Sequence, residues 1–98
     1  MTKRAKRVDD NQKQITAQLR KLGYSVCILS DVGKGVPDLL VGKGGTNWLI
    51  ELKDGSKPPS KQALTEHEQK FHDSWRGQVD TCNSLEQILS AIGYNDTL

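Results

Sequence analysis

Ile15, Leu19 and Leu22 recur at i, i+4 and i+7, the spacing of one helix face. Asp9 or Asp10 is placed to cap that helix, and Gly23 to stop it. A short β-rich run follows from Tyr24 to Leu29. Ser30 to Val36, with Gly33 and Gly35, reads as a loop. Pro37 to Val41 is a second short strand, with proline at a first position where no ladder donor is needed. Lys43-Gly44-Gly45-Thr46 is a hairpin turn, and Asn47 to Lys53 a third strand antiparallel to the second. Asp54 to Lys61, with Gly55, Pro58 and Pro59, reads as a mobile basic loop. Thr65 and Glu68 form a capping box before a helix to Trp75, with Leu64, Phe71 and Trp75 as its apolar stripe. Gly77 ends it. Gln78 to Cys82 is a polar, edge-like fourth strand, and the long crossover before it allows parallel pairing. Ser84 with Gln87 forms a second capping box before a last helix, whose buried face is Leu85, Ile88, Leu89 and Ile92. The expected class is α/β, a small mixed sheet flanked by helices.

Composition narrows this to one domain. The chain has 98 residues, 35% of them apolar and 27% charged. No run approaches the ~18 apolar residues of a membrane span. No apolar stretch follows the basic N-terminal residues, so no secretory signal is expected and cytoplasmic residence is the default. The net charge of +2 says little; its distribution says more. Lys3, Arg4, Lys6 and Arg7 form a basic arm over residues 1–8, ahead of a domain at 9–93 and a tail at 94–98. Such an arm either touches phosphates or is a frayed, solvated terminus. Cys27 and Cys82 are too few for a disulfide framework, and Cys27, in an apolar run, reads as core packing. Two histidines, both near Phe71, do not suggest a zinc cage.

The acidic residues carry the chemistry. Asp38 sits inside Val36-Pro37-Asp38-Leu39-Leu40-Val41, and Glu51 inside Trp48-Leu49-Ile50-Glu51-Leu52-Lys53. A carboxylate in a strand built for a core is costly unless paired or metal-bound. Glu51 and Lys53 share a strand face, and the hairpin brings Asp38 beside them. Two hard oxygen ligands suit Mg²⁺ or Mn²⁺, which activates water and neutralises charge on a phosphate. The Leu52 carbonyl, between Glu51 and Lys53, points away from the line of their side chains but can still reach the same ion. Lys53 can stabilise the charge that grows on the phosphate. The bland alternative is a cross-strand ion pair on a solvated face. Glu-x-Lys alone would favour it; Pro-Asp after a glycine-rich loop, then Glu-x-Lys closing the next strand, does not.

Gly35-Val36-Pro37-Asp38-Leu39-Leu40-Val41-Gly42, followed by Ile50-Glu51-Leu52-Lys53, resembles the PD-(D/E)xK nuclease superfamily. Leu64-Thr65 and Gln69-Lys70-Phe71-His72-Asp73-Ser74-Trp75-Arg76-Gly77 resemble its VRR-NUC branch, whose stand-alone, phage-type members are similar from Asp10 to Ile92. The resemblance implies a restriction-endonuclease-like αβββαβ core. Asp38, Glu51 and the Leu52 carbonyl would be metal ligands, Lys53 the catalytic lysine, and Gln69 the helix residue that reaches the site. It also implies a homodimer acting on four-way junctions or other branched DNA, in the cytoplasm of a bacterial host for a phage-encoded member. Relatives carry a glutamate on the first helix. Gln14 stands there by this placement, unless the helix starts differently and Asp10 substitutes; a solvated Gln14 is the alternative.

The remaining candidates are DNA contacts and side chains of the second long helix. Lys34, Lys57 and Lys61 join the arm as expected phosphate contacts. Gly33-Lys34-Gly35 lacks the ending of a nucleotide-binding loop and reads as a place where backbone approaches DNA phosphates beside Asp38. Thr65, His72 and Arg76 read as a solvated face, and Phe71 and Trp75 as core. The competing function is a non-catalytic nucleic-acid-binding module that kept the fold, with a structural or interaction protein as a third class. Retention of Asp38, Glu51 and Lys53 together argues against the binding module, while Gln14 keeps it open; the third class would explain the chain without metal.

Overall fold

The computed structural model describes residues 10–93, so the arm with Lys3, Arg4, Lys6 and Arg7, Asp9, and the tail at 94–98 lie outside the described residues. The elements are α1 (Asp10–Lys21), β1 (Ser25–Ile28), β2 (Leu39–Lys43), β3 (Thr46–Leu52), α2 (Pro59–Gln62), α3 (Glu66–Ser74), β4 (Val79–Cys82) and α4 (Leu85–Ala91). The four strands form one sheet in the order β1-β2-β3-β4. β1 to β3 are antiparallel neighbours, and β4 lies parallel to β3 at the edge. The parallel pair needs a long return, and α2 with α3 supplies it. No helix among the described residues is long and apolar enough to cross a membrane.

The β2–β3 hairpin sets the register of everything that follows. Gly44 and Gly45 both take positive φ, 61° and 81°, as a two-residue turn twisted to match its strands requires. The turn pairs Lys43 with Thr46 and, further along, Leu39 with Ile50. Alternation then sends Leu39, Val41, Ile50 and Leu52 to one face, where Ile15 and Leu19 of α1, Ile88 of α4 and Ile92 just after it close the core. Leu19, Leu39, Ile50 and Ile88 are fully buried, each stabilising by ~1.5–3 kcal/mol. The opposite face carries Leu40, Leu49, Glu51 and Thr81. α3 lies over it, joined through a His72–Thr81 side-chain hydrogen bond of 3.1 Å.

Several expectations change. β2 starts at Leu39, not Pro37, because Pro37 has no N–H to continue the ladder. The expected loop at 54–61 is built: Ser56 N–H bonds Asp54 Oδ1 at 2.9 Å, and Pro59 opens α2 at a position where proline is preorganised. Gln62 then ties back to the Lys57 carbonyl at 2.7 Å. Cys27 is exposed on edge strand β1; Cys82 is the buried cysteine. Leu22 falls beyond α1 and is exposed. Phe71 and Trp75 stack at 5.1 Å, yet Trp75 is 47% exposed, since it caps α3 at the rim of the sheet.

Candidate active site

Asp38 and Glu51 face each other at the end of the hairpin, one residue beyond the Leu39–Ile50 pair. Leu29 N–H bonds the Asp38 carbonyl at 2.7 Å, so the residue just after β1 holds the Asp38 backbone. Its side chain is held from β3, where Leu52 N–H donates to Oδ2 at 2.8 Å. Leu52 stands opposite Pro37 in this register. The hairpin's alternation makes that a position where two residues exchange both ladder bonds, and Pro37 has no N–H to give. The Leu52 carbonyl therefore faces the Asp38 side without a ladder donor from Pro37.

Glu51 is 4% exposed. Burial pushes its carboxyl up to about 9, the Asp38 and Glu68 charges add to the rise, and Lys53 opposes it. Lys53 Nζ lies 3.7 Å from Glu51 Oε2 and 2.7 Å from Glu68 Oε1. Partial burial raises the Glu68 carboxyl, but the Lys53 hydrogen bond, the Thr65 N–H and the Lys53 charge outweigh it and hold it below the ordinary value. Beside Lys53 opens a cleft of about 290 Å³ lined by Leu52, Lys53, Asp54, Lys57 and Lys61. Lys53 thus stands between the Asp38–Glu51 pair and a basic cleft that it lines itself.

The fold is similar to that of a solved structure described as a VRR_NUC domain. It is 30% identical, spans 85% of this chain and 90% of its own, and superposes with a TM-score of 0.61. This chain belongs to the VRR-NUC family. No protein-family model matches the chain, and no curated protein does. The expected mixed α/β nuclease-type fold of the PD-(D/E)xK superfamily is the fold observed.

Within this VRR-NUC domain the other sequence candidates take other places. Gln14 is exposed; the first-helix side chain turned toward the site is Gln12. Gln12 Nε2 donates to Ser30 Oγ at 2.9 Å, and Ser30 Oγ reaches Asp38 Oδ1 at a longer 3.5 Å. Helical spacing held the signal, since Gln12, Ile15, Thr16 and Leu19 form an i, i+3, i+4, i+7 face and all are buried. Gln14 points elsewhere by the same count. Gln69 is exposed and donates to Asp73 Oδ1 at 2.9 Å, so Glu68 is the α3 residue beside Lys53. Lys34 is exposed with a φ of 57°. Gly35 serves the protein's own backbone, because a Cβ there would collide with the His67 carbonyl oxygen of α3.

Among the described residues, no three of His, Cys, Asp and Glu gather into a metal cage. The pair Asp38 and Glu51, with the Leu52 carbonyl, instead suits an ion that keeps waters and takes oxygens from its substrate. That is the habit of Mg²⁺, which binds through one or two carboxylates plus phosphate.

Proposed function

We propose that this domain is a Mg²⁺- or Mn²⁺-dependent endonuclease that hydrolyses phosphodiester bonds in branched DNA, with four-way junctions as substrate and a homodimer as the working form. The observation that carries the reading is the meeting of Asp38, Glu51 and Lys53 beside a cleft with Lys57 and Lys61. Asp38, Glu51 and the Leu52 carbonyl would hold the ion. When bound, it supplies a water of lowered pKa and neutralises charge on the phosphate.

The chain's residues do the rest. Leu52 N–H holds the Asp38 carboxylate in place, and Gln12 acts on it through Ser30. Lys53 presents its ammonium where negative charge grows on a phosphate oxygen, which counts for more in a partly desolvated site. Lys57, Lys61, Lys34 and the basic arm hold neighbouring phosphates and fix the strand's path without reading bases. So small a domain covers few base pairs, and a symmetric branched substrate suits two copies.

Incubating the protein with linear, flapped and four-way-junction DNA, in Mn²⁺ or in EDTA, tests this directly. The expected result is cleavage in Mn²⁺ alone, fastest on the junction. Cleavage that persists in EDTA, or binding to every DNA without any cleavage, would overturn it. The second outcome would leave a nucleic-acid-binding module.

A further inference from the structure

Glu68 makes an ion pair that its helix cap does not require. Its Oε1 accepts the Thr65 N–H at 2.9 Å, and Thr65 Oγ1 accepts the Glu68 N–H at 3.2 Å, which completes the capping box. The same Oε1 accepts the Lys53 ammonium at 2.7 Å, a charge-assisted bond and the shortest of the three. Both side chains are largely sheltered, at 13% exposure for Lys53 and 18% for Glu68.

A second observation concerns how Glu68 is held. Gly35 adopts a φ of 82°, and a Cβ on it would collide with the His67 carbonyl oxygen and stand 2.9 Å from Glu68 N. The β1–β2 loop is pressed against the backbone of the residue that grips Lys53. The capping box fixes the same turn from the other side. Lys53, on a flexible four-carbon stem, is thereby confined. Of its three N–H groups, one goes to Glu68, and Glu51 Oε2 stands 3.7 Å away, beyond hydrogen-bond reach.

We propose that Glu68 is a positioning residue: it holds the Lys53 ammonium above Glu51 with an N–H free for a phosphate oxygen, so it acts on turnover and not on DNA affinity. This rests on the nuclease reading above. Glu68 itself is an anion beside a polyanionic substrate, and its removal leaves DNA binding as tight or tighter.

The test is Glu68→Gln, because glutamine still accepts at this position of a capping box and lacks the charge that grips lysine. In Mn²⁺, kcat at saturating junction DNA should fall ~10- to 100-fold, as for a misplaced catalytic group. The DNA Kd in Ca²⁺ should stay within about twofold or tighten, since the grip on Lys53 matters in the transition state. A second readout needs neither DNA nor metal. The ¹H–¹⁵N correlation of the Lys53 ammonium, shielded from exchange by its ion pair, should be visible in the wild type and lost in the variant. An unchanged or higher kcat would overturn the proposal, as would kcat, affinity and melting temperature falling together. Absence of the wild-type ammonium signal would also overturn it, whatever the variant's folding. A wild type inert on every DNA would instead overturn the nuclease reading, and this proposal with it.

Discussion

Glu51 keeps its proton to about pH 9 in the metal-free protein, because burial, Asp38 and Glu68 all disfavour its anion. The folded carboxyl therefore titrates above its unfolded value of 4.5. Its contribution to stability is fully present below about pH 4.5 and is lost progressively as pH rises toward 9. Glu51→Gln removes this dependence. The metal-free variant should be more stable than wild type near pH 8, by on the order of 2–5 kcal/mol or ~10 °C and more in melting temperature, and nearly equal to it at pH 4.5. The same substitution should lower Mn²⁺-dependent cleavage by ~10²-fold or more. Thermal melts at the two pH values check the first statement, and an equal gain at both would remove the electrostatic explanation. Lys53→Ala separates catalysis from anchoring. Its kcat should drop ~10²-fold, the scale for losing one donor to developing charge, while the DNA Kd changes far less. A collapse of affinity with normal kcat at saturation would make Lys53 a phosphate anchor.

Elements meet at the site through a few close approaches, and Gly35 is the tightest. The Gly33-Lys34-Gly35 turn carries three consecutive positive φ angles, 79°, 57° and 82°. Alanine at Gly33 meets open space and should cost only the backbone strain, ~1–2 kcal/mol. Alanine at Gly35 adds a collision with the His67 carbonyl, so the loop or the first turn of α3 must move. Gly35→Ala should therefore destabilise by clearly more than Gly33→Ala, ~3 kcal/mol or above. It should also lower kcat, since α3 carries Glu68. Urea melts of the two variants compare them directly; equal losses would mean that the loop does not brace the helix.

Across the molecule, positive charge falls partly on the cleft and partly on residues 1–8, outside the described residues. Lys57 and Lys61 line the cleft beside Lys53, and α2 with its turn keeps them near it. Neutralising both should weaken binding to all DNA shapes about evenly. It should also lower the salt slope by close to one unit for each phosphate that is no longer neutralised. On the proposed reading, preference for branched over linear DNA should survive, because the geometry of a homodimer would set it. Binding measured from low to high salt on both DNA forms reads the two effects separately. Loss of junction preference alone would show that these lysines read shape. Trimming residues 1–7 extends the measurement to the arm, where an unchanged slope would make it a solvated terminus.

Hairpin, capping box and helix faces were legible in the chain because each rests on neighbours in sequence. Gly44-Gly45 selects its turn by φ, Thr65 caps through the residue three positions on, and α4 buries a face of fixed period. The hairpin also brings Asp38 opposite Glu51, so their meeting followed from local rules. Gln12, Glu68 and Gly35 depend on long-range approaches that no local period encodes. Lys53 and Glu68 are fifteen residues apart and Gln12 and Ser30 eighteen, and each pair meets only when the chain folds back. Gln69 and Glu68 are adjacent in sequence but about 100° apart around α3. The way α3 seats on the sheet turned Glu68 toward Lys53 and left Gln69 to Asp73. Periodicity marks which faces an element has, and packing against distant segments assigns each face its neighbour.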